Sequence, residues 1–233
     1  MRAAAAALAL SLLAGAAWAD DAKLAGPVAA KARVTFSFER KGVAVPKYRL
    51  TLNSDGTGTY EGDEVEFVSA AGASQPTDPQ KFNRPISISH ATSDKVFKLA
   101  GHLDHFNKTC ASKAKNIADT GTKTLNYEGP DGTGSCTYNY SDNKEVQALT
   151  NIFLGITETL DQGRQLDHLH RYDRLGLDAA IAFLAQEVSE GHALEIGTIE
   201  PSLRSIATDS SVIARARSKA SSLLTLIPEN SAP

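Results

Sequence analysis

The densest run of side chains able to do chemistry is Asp167-His168-Leu169-His170-Arg171-Tyr172-Asp173-Arg174. Residues three apart on a helix are neighbours, so Asp167 can orient His170 as a base or a ligand. Arg171 and Arg174 supply countercharge. Asp167, His170, Arg171 and Arg174 are therefore the candidate catalytic set, and a hydrolase-type reaction is the chemistry they fit. An architectural reading stands beside it. Gly163 can rotate or end the helix, turning Leu166 and Leu169 inward and both histidines outward. Alternatively, the cluster is an ion-pair network that sets helix registry.

His102, Asp104 and His105 suggest a metal site, with His90 as a more distant ligand. The helical angle opposes that reading: with the core face near Val96, His105 lies almost opposite and His102 on the flank. The acidic stretch Glu61, Asp63, Glu64 and Glu66 lacks the ordered oxygen spacing of a calcium loop and reads as a charged strand edge. Two Asp-Gly-Thr-Gly turns, at 55–58 and 131–134, lack the ending and the strand-to-helix context of a phosphate loop. No nucleophile elbow, zincin helix or catalytic Cys–His pattern is present. The expectation is thus no metal and no cofactor.

Strand patterns dominate before Ser141. Val34, Phe36 and Phe38 alternate with polar residues, as do Tyr48, Leu50 and Leu52. Each Asp-Gly turn predicts a hairpin, the second joining Thr122–Glu128 to Ser135–Tyr140. Ile86 and Ile88 mark a further strand, and 71–79 reads as a loop. A helix is expected from Asp94 to Phe106, capped by Ser93, with Val96, Leu99, Ala100 and Leu103 inward.

Helical periodicity takes over after Ser141. Val146, Leu149, Phe153, Ile156, Leu160 and Gly163 trace one apolar seam, which at the same spacing continues to Asp167 and His170. A second helix is expected over Leu177–Val188 and a third from Pro201. A fourth, capped by Asp209 or Ser210, carries Val212, Ala216, Ala220, Leu223 and Leu224. The expected fold is α+β: an antiparallel sheet with one packed helix over 20–141, then a helical part over 142–227 and a disordered tail at 228–233.

The first nineteen residues read as a secretory signal peptide: Arg2, an apolar run from Ala3 to Ala17, and Ala17-Trp18-Ala19 before Asp20. The run is short for a bilayer span, which needs about 20 residues, and it is not repeated. No membrane span is expected after cleavage. Two cysteines, Cys110 and Cys136, in an oxidising compartment read as one disulfide, which would contribute about 3 kcal/mol if unstrained. The net charge is −3, which disfavours nucleic acid as a partner.

Three stretches, 34–50, 118–129 and 159–178, resemble a group of uncharacterised exported bacterial proteins. That resemblance implies secretion, to the periplasm or beyond, and no particular activity. Residues 199–224 are similar to a single HEAT-type repeat, and one copy implies a helix pair, not a scaffold. The expected function is a non-catalytic binding or interaction protein of the cell envelope, with an envelope or secreted protein as possible partner. The alternatives are the hydrolase-type enzyme above and a purely structural envelope protein.

Overall fold

The computed structural model describes residues 31–228 except 66, 71, 72 and 77, with backbone alone for 67–70 and 73–76. The expected signal peptide and Glu66 lie outside the described residues, as does the tail beyond Pro228.

The main sheet has six antiparallel strands. They are β1 (Arg33–Glu39), β2 (Lys47–Asn53), β3 (Thr57–Glu64), β6 (Gln80–Ser87), β7 (Thr122–Gly129) and β8 (Gly132–Tyr138), in the order β6-β3-β2-β1-β7-β8. Both Asp-Gly turns close hairpins, β2–β3 and β7–β8. Part of the expected loop at 71–79 is instead strand: β4 (Phe67–Ala70) and β5 (Ala73–Pro76) form a separate small hairpin.

Alternation assigns the two faces. Val34, Phe36, Leu50, Leu52, Tyr60 and Leu125 point inward and are fully buried. Thr35, Ser37, Arg49, Thr51, Thr59 and Asn126 occupy the outer, polar face. Helices α1 (His90–His102) and α2 (Lys144–Tyr172) cover the inner face. Phe153 of α2 stacks on Phe36 with ring centres 5.0 Å apart.

Helix α1 starts and ends four residues earlier than the sequence suggested. Ser89, not Ser93, is the N-cap, and its side chain accepts from the Thr92 amide. Ser93 is buried within the first turn and donates to the Ser54 carbonyl. Past His102 the chain makes a left-handed turn, with φ of 54° at Asp104, 52° at His105 and 69° at Phe106. Left-handed geometry costs a non-glycine residue roughly 1–2 kcal/mol, so the surroundings must hold it. Phe106 is fully buried. Asn107 Nδ2 donates to the carbonyls of Asp104 and Thr133.

The Cys110–Cys136 disulfide is formed, and it ties this segment to β8. Ser112 N then donates to the Tyr140 carbonyl. Together these contacts run along the outer side of β8 and cover it. The opposite edge, β6, carries Lys81 and Pro85, which discourage strand addition.

The C-terminal part is helical, with α3 (Leu177–Glu190), α4 (Glu200–Thr208) and α5 (Ala214–Leu224). It has its own core, centred on Leu177, Ile181, Leu184, Leu203 and Ile206. Asp209 does not cap α5, whose N-cap is Ile213 without a side-chain bond. Helix α2 belongs to both cores, contributing Val146 to Leu160 to the first and Leu166 to the second. The Gly163 position lets Ile199 approach closely; a Cβ there would sit 2.3 Å from Ile199 Cγ2. No described helix is long and apolar enough to cross a membrane.

Candidate binding cleft

The four residues singled out in the sequence do not converge. After Gly163 the buried position falls at Leu166, not Asp167. A step of three residues there, where the extrapolated seam took four, turns Asp167 toward the sheet, where its carboxylate lies 3.8 Å from Arg84 of β6. His170 points elsewhere. Its Nε2 lies 2.8 Å from Asp209 Oδ2, between α4 and α5. Arg174 adds to that second group, donating through Nε to the His170 carbonyl and approaching Asp209 at 3.9 Å. Asp209 also accepts from the Ser211 amide and hydroxyl. Those bonds, with His170, hold its carboxyl well below the usual range. Arg171 is exposed and shares neither group.

Asp167 and Arg171 instead line a cleft of about 950 Å³ between the C-terminal half of α2, the end of β3 and the β1–β2 connection. Its floor is a network that the sequence reading missed. Asp161 accepts from the Tyr60 hydroxyl at 2.9 Å and from Arg164 Nε at 3.3 Å. Arg164 also pairs with Glu64 and lies over the Phe82 ring at 4.6 Å. Nearby, Thr157 donates to the Tyr48 hydroxyl. Strand alternation explains Glu64: it faces inward with Tyr60, while Glu61 and Asp63 face outward. The acidic stretch is thus divided between two sides of the sheet, with Glu61 bonded to Arg49.

Burial pushes the Asp161 carboxyl up to about 6, against the opposing pull of Arg164 and the Tyr60 hydrogen bond; Glu158 adds to the rise. Burial also raises Tyr48 and Tyr60. The Asp161-x-x-Arg164 spacing is an (i, i+3) pair on one helix face, the one signal of this network that the sequence carried. Its partners on the sheet are about a hundred residues away in the chain.

Several polar groups on the cleft wall are unused. Among the described residues, Gln165 and Arg171 make no hydrogen bond to the protein, and Gln162 Oε1 is buried without a donor. Tyr172, 71 % exposed, and His168 form a ring pair at one end.

The remaining histidines lie apart. His102 meets Glu145 at 3.0 Å. His105, expected to face solvent, is stacked on Tyr127 at 4.1 Å and paired with Asp131, because the left-handed turn folds it onto the second hairpin. His90 begins α1 and is exposed. Elsewhere, half-buried Glu187 and exposed Glu190 and His192 bring three potential ligand atoms within 4.8 Å of one another.

No family model matches the chain, and no curated protein is significantly similar to it.

Proposed function

We propose that this chain is exported with loss of residues 1–19 and serves in the cell envelope as a non-catalytic binding protein, with the cleft beside α2 as its ligand site. The observation that carries this reading is the combination of a large concavity with polar groups that the fold leaves unpaired. The Asp161–Arg164–Glu64 network is satisfied internally and makes a rigid floor; Gln165, Arg171 and His168 stand above it, free to meet a ligand. Preformed concave sites with a few convergent polar groups are the usual form of small-molecule sites. The covered β8 edge and the blunted β6 edge weigh against strand addition as the binding mode.

The test is retention of envelope small molecules and oligosaccharides on the immobilised protein, read by mass spectrometry, beside a Gln165→Trp variant that fills the cleft. The reading expects species held by the wild type and lost by the variant. Equal retention by both would overturn it.

A hydrolase remains the second reading, moved from Asp167 and His170 to Asp161. A desolvated carboxyl titrating near neutrality in a cleft is suited to general acid–base work. It predicts turnover of chromogenic ester, phosphate or glycoside substrates that inflects near pH 6 and disappears in Asp161→Asn.

A further inference from the structure

We propose that the cleft is one half of a longer groove along α2, and that its ligand is a neutral polysaccharide chain; this rests on the binding reading above. A second depression of about 600 Å³ lies beside the N-terminal half of α2. The two share Phe38 and Leu154 in their walls, so they lie side by side near the middle of the helix. At 29 residues, α2 is about 43 Å long. An exposed tyrosine stands at each end, Tyr140 at 43 % and Tyr172 at 71 % exposure. A small ligand would reach only one of them.

The chemistry of the groove selects among chain molecules. Its walls carry four carboxylates and five cationic side chains, nearly in balance. Most of these are already engaged. Lys123 is buried and donates to the carbonyls of Thr120, Gly121 and Asn139. Arg164 is held by Glu64 and Asp161, while Arg84 meets Asp167 more loosely, at 3.8 Å. The two cations left over, Arg40 and Arg171, stand in opposite halves of the groove and make no clustered patch of the kind that attracts a polyanion.

A peptide fares poorly for a different reason. The groove runs between a helix and the strands of the sheet, from Arg84 of β6 to Tyr138 of β8, and so crosses the sheet instead of following one strand edge along which a backbone ladder could form. What remains available is amide and aromatic, with two guanidinium groups that have no carboxylate partner among the described residues, Arg40 and Arg171, one in each half; a guanidinium can donate to sugar hydroxyls as well as to anions. Asn151 and Gln165 make no hydrogen bond to the protein among the described residues, and each offers both a donor and an acceptor. Sugar rings match this set: hydroxyls bond to planar amides, and their C–H faces lie on tyrosine rings, which combine an apolar face with a polar tip.

The experiment is calorimetric titration of the exported protein with four neutral hexasaccharides: β-1,4-linked glucose, N-acetylglucosamine and xylose, and α-1,4-linked glucose. The matching monosaccharides and a Gly-Ser hexapeptide complete the set. Binding of at least one hexasaccharide is expected, at least tenfold tighter than its monomer and insensitive to salt between 50 and 500 mM. A hexamer is shorter than α2 and sits at one end of the groove, so Tyr140→Ala or Tyr172→Ala should weaken it about tenfold without lowering Tm, and the corresponding Tyr140→Phe or Tyr172→Phe should restore it; no effect of either Ala variant would overturn the aromatic contact. Equal affinity for hexamer and monomer would overturn the chain-length claim. Binding of the hexapeptide alone, with amide NMR shifts along α2, would overturn the glycan class and leave the binding reading standing. No binding by any member of the set overturns the glycan proposal, and the retention experiment then decides the binding reading separately.

Discussion

Asp161 and Asp209 are similar in exposure, 31 % and 25 % at the side chain, and each faces a basic partner. Their proton affinities nevertheless move in opposite directions. Asp209 sits in the link between α4 and α5, where the backbone curls around it. It gains the Ser211 amide and hydroxyl at 2.8 and 2.6 Å as well as His170. Asp161 lies on the sheet-facing side of α2, with longer bonds to Tyr60 and Arg164 and with Glu158 close by. Short donors aimed at the anion outweigh desolvation at one site, and desolvation outweighs a guanidinium at the other. The ion pair at the helix joint supports its charge fully, whereas the carboxyl beside the cavity is supported only in part.

The largest expected effect comes from removing the cation that the cleft floor depends on. Arg164→Ala leaves Asp161 and Glu64 without their shared partner and strips the cover from Phe82; the expected loss is about 2–3 kcal/mol by urea denaturation. The corresponding change at the other site, Arg174→Ala, should be nearly silent, because Arg174 is half exposed and 3.9 Å from its partner.

Next is the glycine that separates the two regions. Gly163→Ala drives a methyl into Ile199. Overpacking exceeds the gain in helix propensity, for a net loss of about 1–2 kcal/mol. Chemical shifts should change in both cores, since Gly163 lies between the α2 residues that serve them.

The third prediction concerns pH. Asp161 holds its proton more tightly when folded, so stability from this group is greatest below pH 4, falls as pH rises toward 6 and is level above. Asp161→Asn should remove that decline, about 1 kcal/mol after allowance for solvent screening. The smallest effect is expected at Asp209, with the opposite sign. Its folded affinity is depressed, so its stabilisation is present above the unfolded value and fades as pH falls through the acidic range. Asp209→Asn should lower Tm by a degree or so at pH 7 and by a smaller amount at pH 2.

The contrast between these two sites also marks what the sequence carried. Period-two and helical apolar patterns reflect burial on one face, so the sheet, both hairpins and the seam of α2 were legible. The seam misled after Gly163 because an absent side chain says nothing about the step that follows it, and the helix there turns Leu166 inward. The left-handed turn at Asp104–Phe106 was hidden for another reason: Asp104 and His105 tolerate positive φ but Phe106 does not favour it, and the segment is fixed by distant contacts, Asn107 to Thr133 and Cys110 to Cys136. The cleft depended on pairs such as Tyr60–Asp161 and Glu64–Arg164, which only the packing of α2 on the sheet brings together.

The carboxyl of Asp161, followed by carbon-13 NMR through a pH titration and assigned with Asp161→Asn, tests the centre of this account. A midpoint near 6 is the predicted result. A midpoint near 4, that of an ordinary exposed aspartate, would mean that the cleft does not desolvate it and that its floor is no different from the joint at Asp209.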